Sequence, residues 1–475
     1  MNNIWIKTFI MTFVDYIANI FDWIKILLFK SNYDWIENVA IMSNCQTTIT
    51  FSYNFNKIIR SNSLPKSLKT IIFGDWFNQE IVPNSLPKKL STLIFGKYFN
   101  TKIKPNSLPE KLTTLTFGHC FNQKIEPNSL PKNLSTLSFG YYFNQKIGPN
   151  SLPENLSTLT IGRFFNQKIE PNSLPKNLTT FNFGYNFNQK IEPNSLPKNL
   201  TNLIFRNKFN QKIELNSFPE NLTYLTFGRK FNKKIESNSL PENLRNLTFG
   251  SKFNQKIEPN SLPKNLTTLT FGWNFNQKIE PDSLPENLTT LTFGDYFNKK
   301  IEPNSLPENL TDLTFGTEFN QKIEPNSLPK KLSNLIFGYD FNQKIDPNNL
   351  PENLTTLTFG FDFNQNIENI WSKIKYINFD WLNMETKIIC KKDINIINNI
   401  PKYYHVKVKV YVNNNIFYDK EPKWPIHVVK YDEANWSSDI YEIIDKYYDP
   451  IYGDIIVLIN KETYEPFSHT KSARN

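Results

Sequence analysis

Residues 253–274 read FNQKIEPNSLPKNLTTLTFGWN, and close copies of this 22-residue stretch fill most of the chain. Each copy opens with a Phe-Asn pair, at residues 55, 77, 99, 121, 143, 165, 187, 209, 231, 253, 275, 297, 319, 341 and 363. The interval is 22 at every step, so fourteen full units cover residues 55–362 of the 475. A fixed period of this length predicts a solenoid, in which each repeat forms one coil and stacks on its neighbours.

Six positions of the unit are apolar almost without exception. With the opening Phe as position 1, position 5 is always Ile and position 14 always Leu. Positions 10, 17 and 19 are nearly always Leu, Leu and Phe, and Phe218 and Ile161 are among the exceptions. The pattern therefore predicts one continuous core that stacked coils share.

Positions 14–19 (Leu-x-x-Leu-x-Phe) predict one short strand per coil. In an extended strand, positions 17 and 19 face the core and positions 16 and 18 face away from it. Pro at positions 7 and 11 excludes a helix from the other half, and Gly at position 20, replaced only by Arg206, predicts a sharp turn. We therefore expect a β-rich solenoid with a parallel sheet and right-handed coils.

Asn occupies position 2 in all fifteen copies. One interpretation is a ladder, in which each Asn amide bonds to the backbone of the next coil because interior backbone groups need partners. The other is that Asn merely stabilises a turn. Both roles are structural.

The unit FNQKIEPNSLPKNLTTLTFG resembles the FNIP repeat, a 22-residue relative of leucine-rich repeats, over residues 55–362. It departs from the family pattern in the frequent Lys at position 4 and in Leu-Pro where the family has Ile-Pro. The resemblance implies a leucine-rich-type solenoid and a protein of the kind found in amoebae and in their large DNA viruses. Some family members join the repeats to an N-terminal F-box, an adaptor to ubiquitin ligases.

Residues 1–46 differ from the repeats and predict an amphipathic helical N-terminal cap. Between Ile4 and Phe29 the polar residues form one narrow stripe at helical spacing: Thr8, Thr12, Asp15, Asn19, Asp22 and Lys25. The simplest interpretation is a helix that covers the first coil. The alternatives are an interfacial membrane helix over residues 4–29 and a divergent F-box-like segment that docks a ubiquitin-ligase component.

The sequence after the last full unit suggests a shortened coil and then a different domain. Ile374-x-x-Ile377-x-Phe379 keeps the strand pattern, so the solenoid is predicted over 47–382. Residues 383–475 are predicted to form a small α+β unit that caps the open sheet edge. Its expected elements are strands over 404–412, 424–431 and 454–460, and a helix from Ser437 or Ser438 to Tyr448.

Positions 21 and 22 differ from coil to coil while nearly everything else repeats. Ten of their 28 residues are aromatic, against 15% in the whole chain, and their charge changes from basic over 207–252 to acidic over 295–362. Exposed aromatic and Arg side chains are typical of binding surfaces. The candidate residues for binding an unknown protein partner are Trp76, Tyr98, Tyr141, Tyr142, Arg163, Phe164, Tyr185, Lys208, Arg229, Lys230, Lys252, Trp273, Tyr296 and Tyr339. The competing interpretation is that these positions are simply unconstrained.

No motif for catalysis, metal or cofactor binding is present. The chain has no Gly-rich phosphate loop, no H-E-x-x-H and no C-x-x-C, and its four His are scattered. A net charge of +10 is modest for this length, so nucleic acid is not an expected partner. Three scattered Cys indicate a reducing compartment, and we expect a non-enzymatic cytoplasmic scaffold.

Overall fold

The computed structural model describes residues 39–42, 47–363, 365, 370, 374, 376–379, 409–410, 426–427, 441–449 and 453–460. The chain forms two compact units. The first comprises Met1–Lys233 and Ser239–Leu244, and the second comprises Lys234–Asn238 and Arg245–Asn475.

In the first unit, one strand per coil builds a parallel ladder whose neighbours follow one another in sequence. Its strands are β2 Thr48–Phe51, β3 Thr70–Ile72, β4 Thr92–Ile94, β5 Thr114–Thr116, β6 Thr136–Ser138, β7 Thr158–Thr160, β8 Thr180–Asn182, β9 Asn202–Ile204 and β10 Tyr224–Thr226. The register places equivalent positions side by side, as in Leu115 beside Leu137. A further strand, β1 (Val39–Met42), pairs antiparallel with β2.

The second unit has the same parallel ladder. Its strands are β11 Asn246–Thr248, β12 Thr268–Thr270, β13 Thr290–Thr292, β14 Asp312–Thr314, β15 Asn334–Ile336, β16 Thr356–Phe359 and β17 Tyr376–Phe379. In β17, Ile377 lies beside Leu357, so the last coil is shorter than 22 residues. A short 3-10 helix, Pro347–Asn349, replaces the usual turn of the coil before it.

The repeated apolar positions form the core as predicted. In the full coils, the side chains at positions 1, 5, 10, 14, 17 and 19 are at most 7% exposed. The strand residue at position 17 is buried while positions 16 and 18 are at least partly exposed in nearly every coil. Phe rings four residues apart stack closely, as in Phe117 and Phe121 with centroids 3.8 Å apart. The fold is thus a parallel β-solenoid of the leucine-rich type, and its handedness stays a prediction.

The asparagine ladder is present. In twelve coils the backbone N–H of the Asn at position 2 donates to the Oδ1 of the equivalent Asn one coil earlier, at 2.8–3.1 Å. Many position-3 glutamines donate to the same oxygen, as Gln167 does to Asn144 at 3.2 Å. The ladder lies at the partly exposed surface of the coil rather than inside it.

A second ladder explains the recurring Asn-Leu-Ser/Thr sequences. The Asn133 side chain donates to the carbonyl of Glu110 at 2.9 Å, and Asn155 donates to Lys132 at 3.0 Å. The same contact recurs through residues 199, 221, 287, 309 and 353. These asparagines therefore hold adjacent coils together.

The turn at positions 6–9 depends on residues whose role the sequence did not reveal. Asn at position 8, or Asp282, has a positive φ of 58–63° in thirteen coils, which is a conformation that Asn and Asp tolerate. In most coils the residue before this Asn is Pro, whose ring fixes its own φ at the preceding position of the turn. The next Ser is buried, and in ten of these coils its hydroxyl donates to the carbonyl at position 6, as Ser129 does to Glu126 at 2.7 Å.

In every full coil except the one with Arg206, position 20 is Gly, and close approach rather than a special φ accounts for it. A Cβ added to Gly118 would overlap the carbonyl oxygen of Gly96, and the same overlap recurs from Gly74 to Gly360. By contrast, a Cβ on Gly148, at position 6, would meet nothing within 4 Å. The glycines thus form a column that lets adjacent coils touch, and the predicted reason, a sharp turn, was incomplete.

Two predictions outside the repeats need correction. Within the predicted helical cap 1–46, residues 39–42 form a strand; the proposed helix over 4–29 lies outside the described residues. The helix predicted to end at Tyr448 is wrong, because Tyr441–Asp449 is a strand, β20, that pairs antiparallel with β21, Gly453–Asn460. Strands β18 (Lys409–Val410) and β19 (Ile426–His427) form a second antiparallel pair within 383–475.

Candidate partner-binding edge

Positions 20–22 form the edge at which each coil leaves its strand. At this edge the N–H at position 22 donates to the position-21 carbonyl of the preceding coil, as Tyr98 does to Asp75 at 2.8 Å and Glu318 to Asp295 at 2.7 Å. The backbone therefore holds successive position-21 and position-22 side chains in columns, one coil apart. Seven of the eleven exposed large hydrophobic side chains in the described residues lie here: Tyr53, Trp76, Tyr142, Phe164, Trp273, Tyr296 and Tyr339.

The first unit carries an aromatic edge, comprising Tyr53, Trp76, Tyr98, Tyr141, Tyr142, Phe164 and Tyr185. Trp76 contacts Tyr98 with ring centroids 4.9 Å apart, and Tyr142 stacks on Phe164 at 5.1 Å. Trp76 and Tyr142 are nevertheless about half exposed, at 49% and 51%. The rings thus support one another while leaving apolar surface in solvent.

Cations lie on the rings of the aromatic edge. The Arg163 guanidinium is 5.1 Å from the centroid of Tyr141 and 4.4 Å from that of Tyr185. Lys97 Nζ is 5.0 Å from the centroid of Tyr98, and its interaction with the Tyr98 side chain raises the pKa of Lys97. The edge therefore stays cationic at neutral pH and combines apolar rings with positive charge.

The remaining candidates lie on two other parts of the edge. In the first unit, Arg206, Lys208, Arg229 and Lys230 are exposed in two successive coils. In the second unit the edge carries Lys252, the exposed rings of Trp273, Tyr296 and Tyr339, and the acidic residues Asp295, Glu318, Asp340 and Asp362. The predicted candidates are thus on one kind of edge, but the described contacts join only some of them.

Two participants were missed by sequence reasoning. Tyr53 lies in the half coil before the first full unit, and counting back two residues from Phe55 would have found it. His119 contacts Tyr141, with ring centroids 5.6 Å apart, so it fills the one coil between Tyr98 and Tyr141 that otherwise lacks an edge ring.

The coil with the most irregular sequence has a local rearrangement. The strand register at β9 is kept, but the Ser217 hydroxyl donates to Ile191 of the preceding coil at 2.9 Å. A cavity of about 300 Å³ opens there, lined by Leu196, Lys198, Phe218 and Glu220 among others. The distortion expected around 205–219 is thus confined to the turn side of the coil.

Two kinds of feature are absent from the described part of the chain. No group of three or more His, Cys, Asp or Glu is placed to hold a metal ion there. Among the same residues, no helix is long and apolar enough to cross a bilayer.

Fold and edge together define a leucine-rich-type solenoid with a variable side-chain edge. The FNIP Repeat profile matches residues 46–75, 77–120, 121–164, 165–208, 209–252, 253–296, 297–340 and 341–380. The chain therefore belongs to the FNIP repeat family.

One solved structure agrees with this assignment. The chain is similar to CroV588 of the giant virus CroV, described as a novel circular LRR protein, with 43% identity and a TM-score of 0.66 over 78% of this chain. It spans 58% of the length of CroV588. An internalin, InlF of Listeria monocytogenes, is 15% identical with a TM-score of 0.40, over 71% of this chain and 87% of the internalin. A comparison with curated proteins found no match.

Proposed function

We propose that this protein is a non-enzymatic scaffold for protein–protein interaction, and that its aromatic edge binds a partner protein. The observation that carries the proposal is the run of mutually supporting, half-exposed rings in the first unit, of which Tyr142 and Phe164 are the best stacked pair. Large aromatic side chains and Arg dominate the binding energy of protein interfaces. Repeat solenoids of the leucine-rich type typically serve in such interactions.

The chemistry of the edge indicates the partner surface. Trp76, Tyr142 and Phe164 offer apolar area, and Lys97 and Arg163 offer positive charge beside it. The complementary surface on the partner has exposed apolar side chains bordered by carboxylates. We place this scaffold in the cytoplasm because the scattered cysteines favour a reducing compartment.

The other two candidate functions depend on residues 1–46, of which the structure describes only 39–42. A ubiquitin-ligase adaptor would use this segment to recruit a ligase component, and a membrane-associated protein would insert residues 4–29. Ligase subunits that are captured by the full chain and lost after deletion of 1–46 would favour the adaptor.

The test compares three forms of the full chain in affinity purification from lysate of the natural cell or host, followed by mass spectrometry. The edge variant is Trp76→Ser, Tyr142→Ser and Phe164→Ser, with exposures of 49, 51 and 39%. The control is Ile58→Ser, Val82→Ser and Leu215→Ser, which removes similarly exposed apolar side chains of 58, 38 and 60% away from the edge. Circular dichroism and the thermal midpoint would verify that all three forms are folded.

We expect a partner that wild type and control retain and the edge variant loses. A partner retained equally by all three forms would place binding elsewhere and contradict the proposal. Failure of the wild type to retain any protein would contradict it as well.

A further inference from the structure

Charges on the solenoid are mixed at one pair of positions and sorted at another. At positions 4 and 6, Lys and Glu pair with each other, as in Lys124 with Glu126 at 3.2 Å and Lys278 with Glu280 at 3.3 Å. At the edge, by contrast, the charged residues in two successive coils of the first unit are all cations. In the last three coils before residue 363, position 22 is an anion each time. The repeat can therefore neutralise neighbouring charges, yet the edge keeps them apart.

The cation cluster consists of Arg206, Lys208, Arg229 and Lys230. All four side chains are exposed, and none makes an ion pair with another described residue. The N–H of Lys230 donates to the carbonyl of Asn207 at 2.8 Å, which fixes the two coils at one coil spacing. Four like charges are thus concentrated on a rigid backbone.

The acid column consists of Asp295, Glu318, Asp340 and Asp362 in the second unit. None of these carboxylates makes an ion pair within the described residues, and three of them follow one another at position 22. Backbone hydrogen bonds of 2.9 Å from Asp340 and Asp362 hold the column in register. Burial, and then the charge of Asp362, raises the pKa of Asp340, so the unpaired column is electrostatically unfavourable.

We propose that the cation cluster of one copy of this chain binds the acid column of a second copy. The position-22 lysines and the position-22 carboxylates both repeat at the interval of adjacent parallel strands, about 4.8 Å, so successive charges can meet in register. The exposed rings of Tyr296 and Tyr339 flank the acid column and can receive the guanidinium of Arg229. Arg163 already makes such a contact in this protein, 4.4 Å from the Tyr185 centroid.

A second copy of this chain fits the observations better than a nucleic acid or an unrelated acidic protein does. A nucleic acid or an unrelated acidic protein would neutralise the cation cluster but leave the acid column unpaired. Another copy neutralises both, because each copy brings one cluster and one column. This contact uses neither Trp76 nor Tyr142, so it is independent of the partner proposed for the aromatic edge.

The test is charge reversal in the full chain, with association measured by analytical ultracentrifugation. The acidic variant carries Lys208→Glu, Arg229→Glu and Lys230→Glu. The basic variant carries Glu318→Lys, Asp340→Lys and Asp362→Lys. A matched control carries Lys132→Glu, Lys176→Glu and Lys264→Glu, three exposed lysines at position 12 on a different face. Circular dichroism would verify folding of each form.

We expect wild type and control to self-associate at 0.1 M salt and to dissociate at 1 M salt, since the Debye length falls from about 10 Å to about 3 Å. Each reversed variant alone should associate at least about tenfold more weakly. An equimolar mixture of the acidic and basic variants should recover association, because the two then bring opposite charges to each other. A monomeric wild type at 0.1 M salt, unchanged association of either variant, or a mixture that fails to associate would each overturn the proposal.

Discussion

Positions 17 and 22 lie five residues apart in every coil, yet they differ in how many residue types occupy them. Position 17 is Leu in twelve of the fourteen units, whereas position 22 carries eight different residue types. Both sets of residues have their backbone hydrogen-bonded to the preceding coil. The side chain at 17 is buried, and that at 22 is exposed or partly exposed. The interior therefore determines stability, while the edge is free to determine recognition.

The largest expected effect is in the interior. Phe121 is fully buried and stacks on Phe117 at 3.8 Å, so Phe121→Ala should lower the free energy of unfolding by about 3–5 kcal/mol. Trp273 is larger but 61% exposed at the edge, and Trp273→Ala should change it by less than about 0.5 kcal/mol. Urea denaturation followed by circular dichroism measures both. Similar losses would remove the distinction between interior and edge.

The next effect tests the glycine column. Gly118→Ala places a Cβ against the carbonyl oxygen of Gly96 and should force the coils apart, at a cost of about 1–3 kcal/mol. Gly148→Ala is the matched control, because its Cβ meets nothing within 4 Å and stability should be kept or slightly raised. The thermal midpoints of the two variants decide the matter. Equal midpoints would mean that contact between coils does not explain the column.

A smaller loss is expected in the asparagine ladder. Asn144→Ala removes the oxygen that accepts from the N–H of Asn166 at 2.9 Å and from Gln167 at 3.2 Å, and should cost about 1 kcal/mol. Asn144→Asp keeps an accepting oxygen and should lose less. Amide hydrogen exchange at Asn166 reports the bond directly. Unchanged protection in the Ala variant would argue against the ladder.

The smallest effect is at the acidic edge and has the opposite sign. The pKa of Asp340 is raised in the folded chain, so its ionisation destabilises the fold at neutral pH, and this penalty disappears once the pH falls below the unfolded value. Asp340→Asn should therefore raise the thermal midpoint slightly at pH 7 and lose this advantage at a pH of about 3. Glu352→Gln, at an exposed carboxylate, should show no such gain. An Asp340→Asn advantage that persists in acid would contradict the electrostatic explanation.

The interior could be predicted from the sequence because a fixed period turns composition into position. Ile at 5 and Leu at 14 recur without exception, and stacking in register is the arrangement that buries all of them at once. The strand predicted over positions 14–19 is observed, but in nearly every coil it spans only positions 16–18. The position-2 Asn left two interpretations open, and its ladder required the distance between coils that only the structure gives.

Other features depend on geometry that residue types do not encode. The positive φ of Asn260 and its equivalents follows from a turn whose ends must meet, and Asn occurs at so many positions that its identity alone gave no signal. In the segment Tyr441–Asp449, Ile and Tyr fit a helical spacing, but both residues also favour strands. The neighbouring strand Gly453–Asn460 pairs antiparallel with this segment, and these backbone contacts favour a strand over a helix.

The candidate edge was found from variability alone, and its contacts were not. The variation at positions 21 and 22 indicated a candidate binding surface, but it could not show that Arg163 lies between two tyrosine rings. Long side chains at an exposed position choose their neighbours by rotamer, which the repeat does not fix.

The unbroken register has a consequence for how the gene can change. Because Asn122, Asn144 and Asn166 make the same contacts one coil apart, removal of 22 residues between them rejoins surfaces with identical donors and acceptors. Recombination between repeated DNA segments removes or adds whole units of this kind. The interior is the same after such an event, whereas the order of side chains along the edge is new. New edge sequences can thus arise when whole coils are lost, gained or reordered, and the rearranged chain keeps a core that still folds.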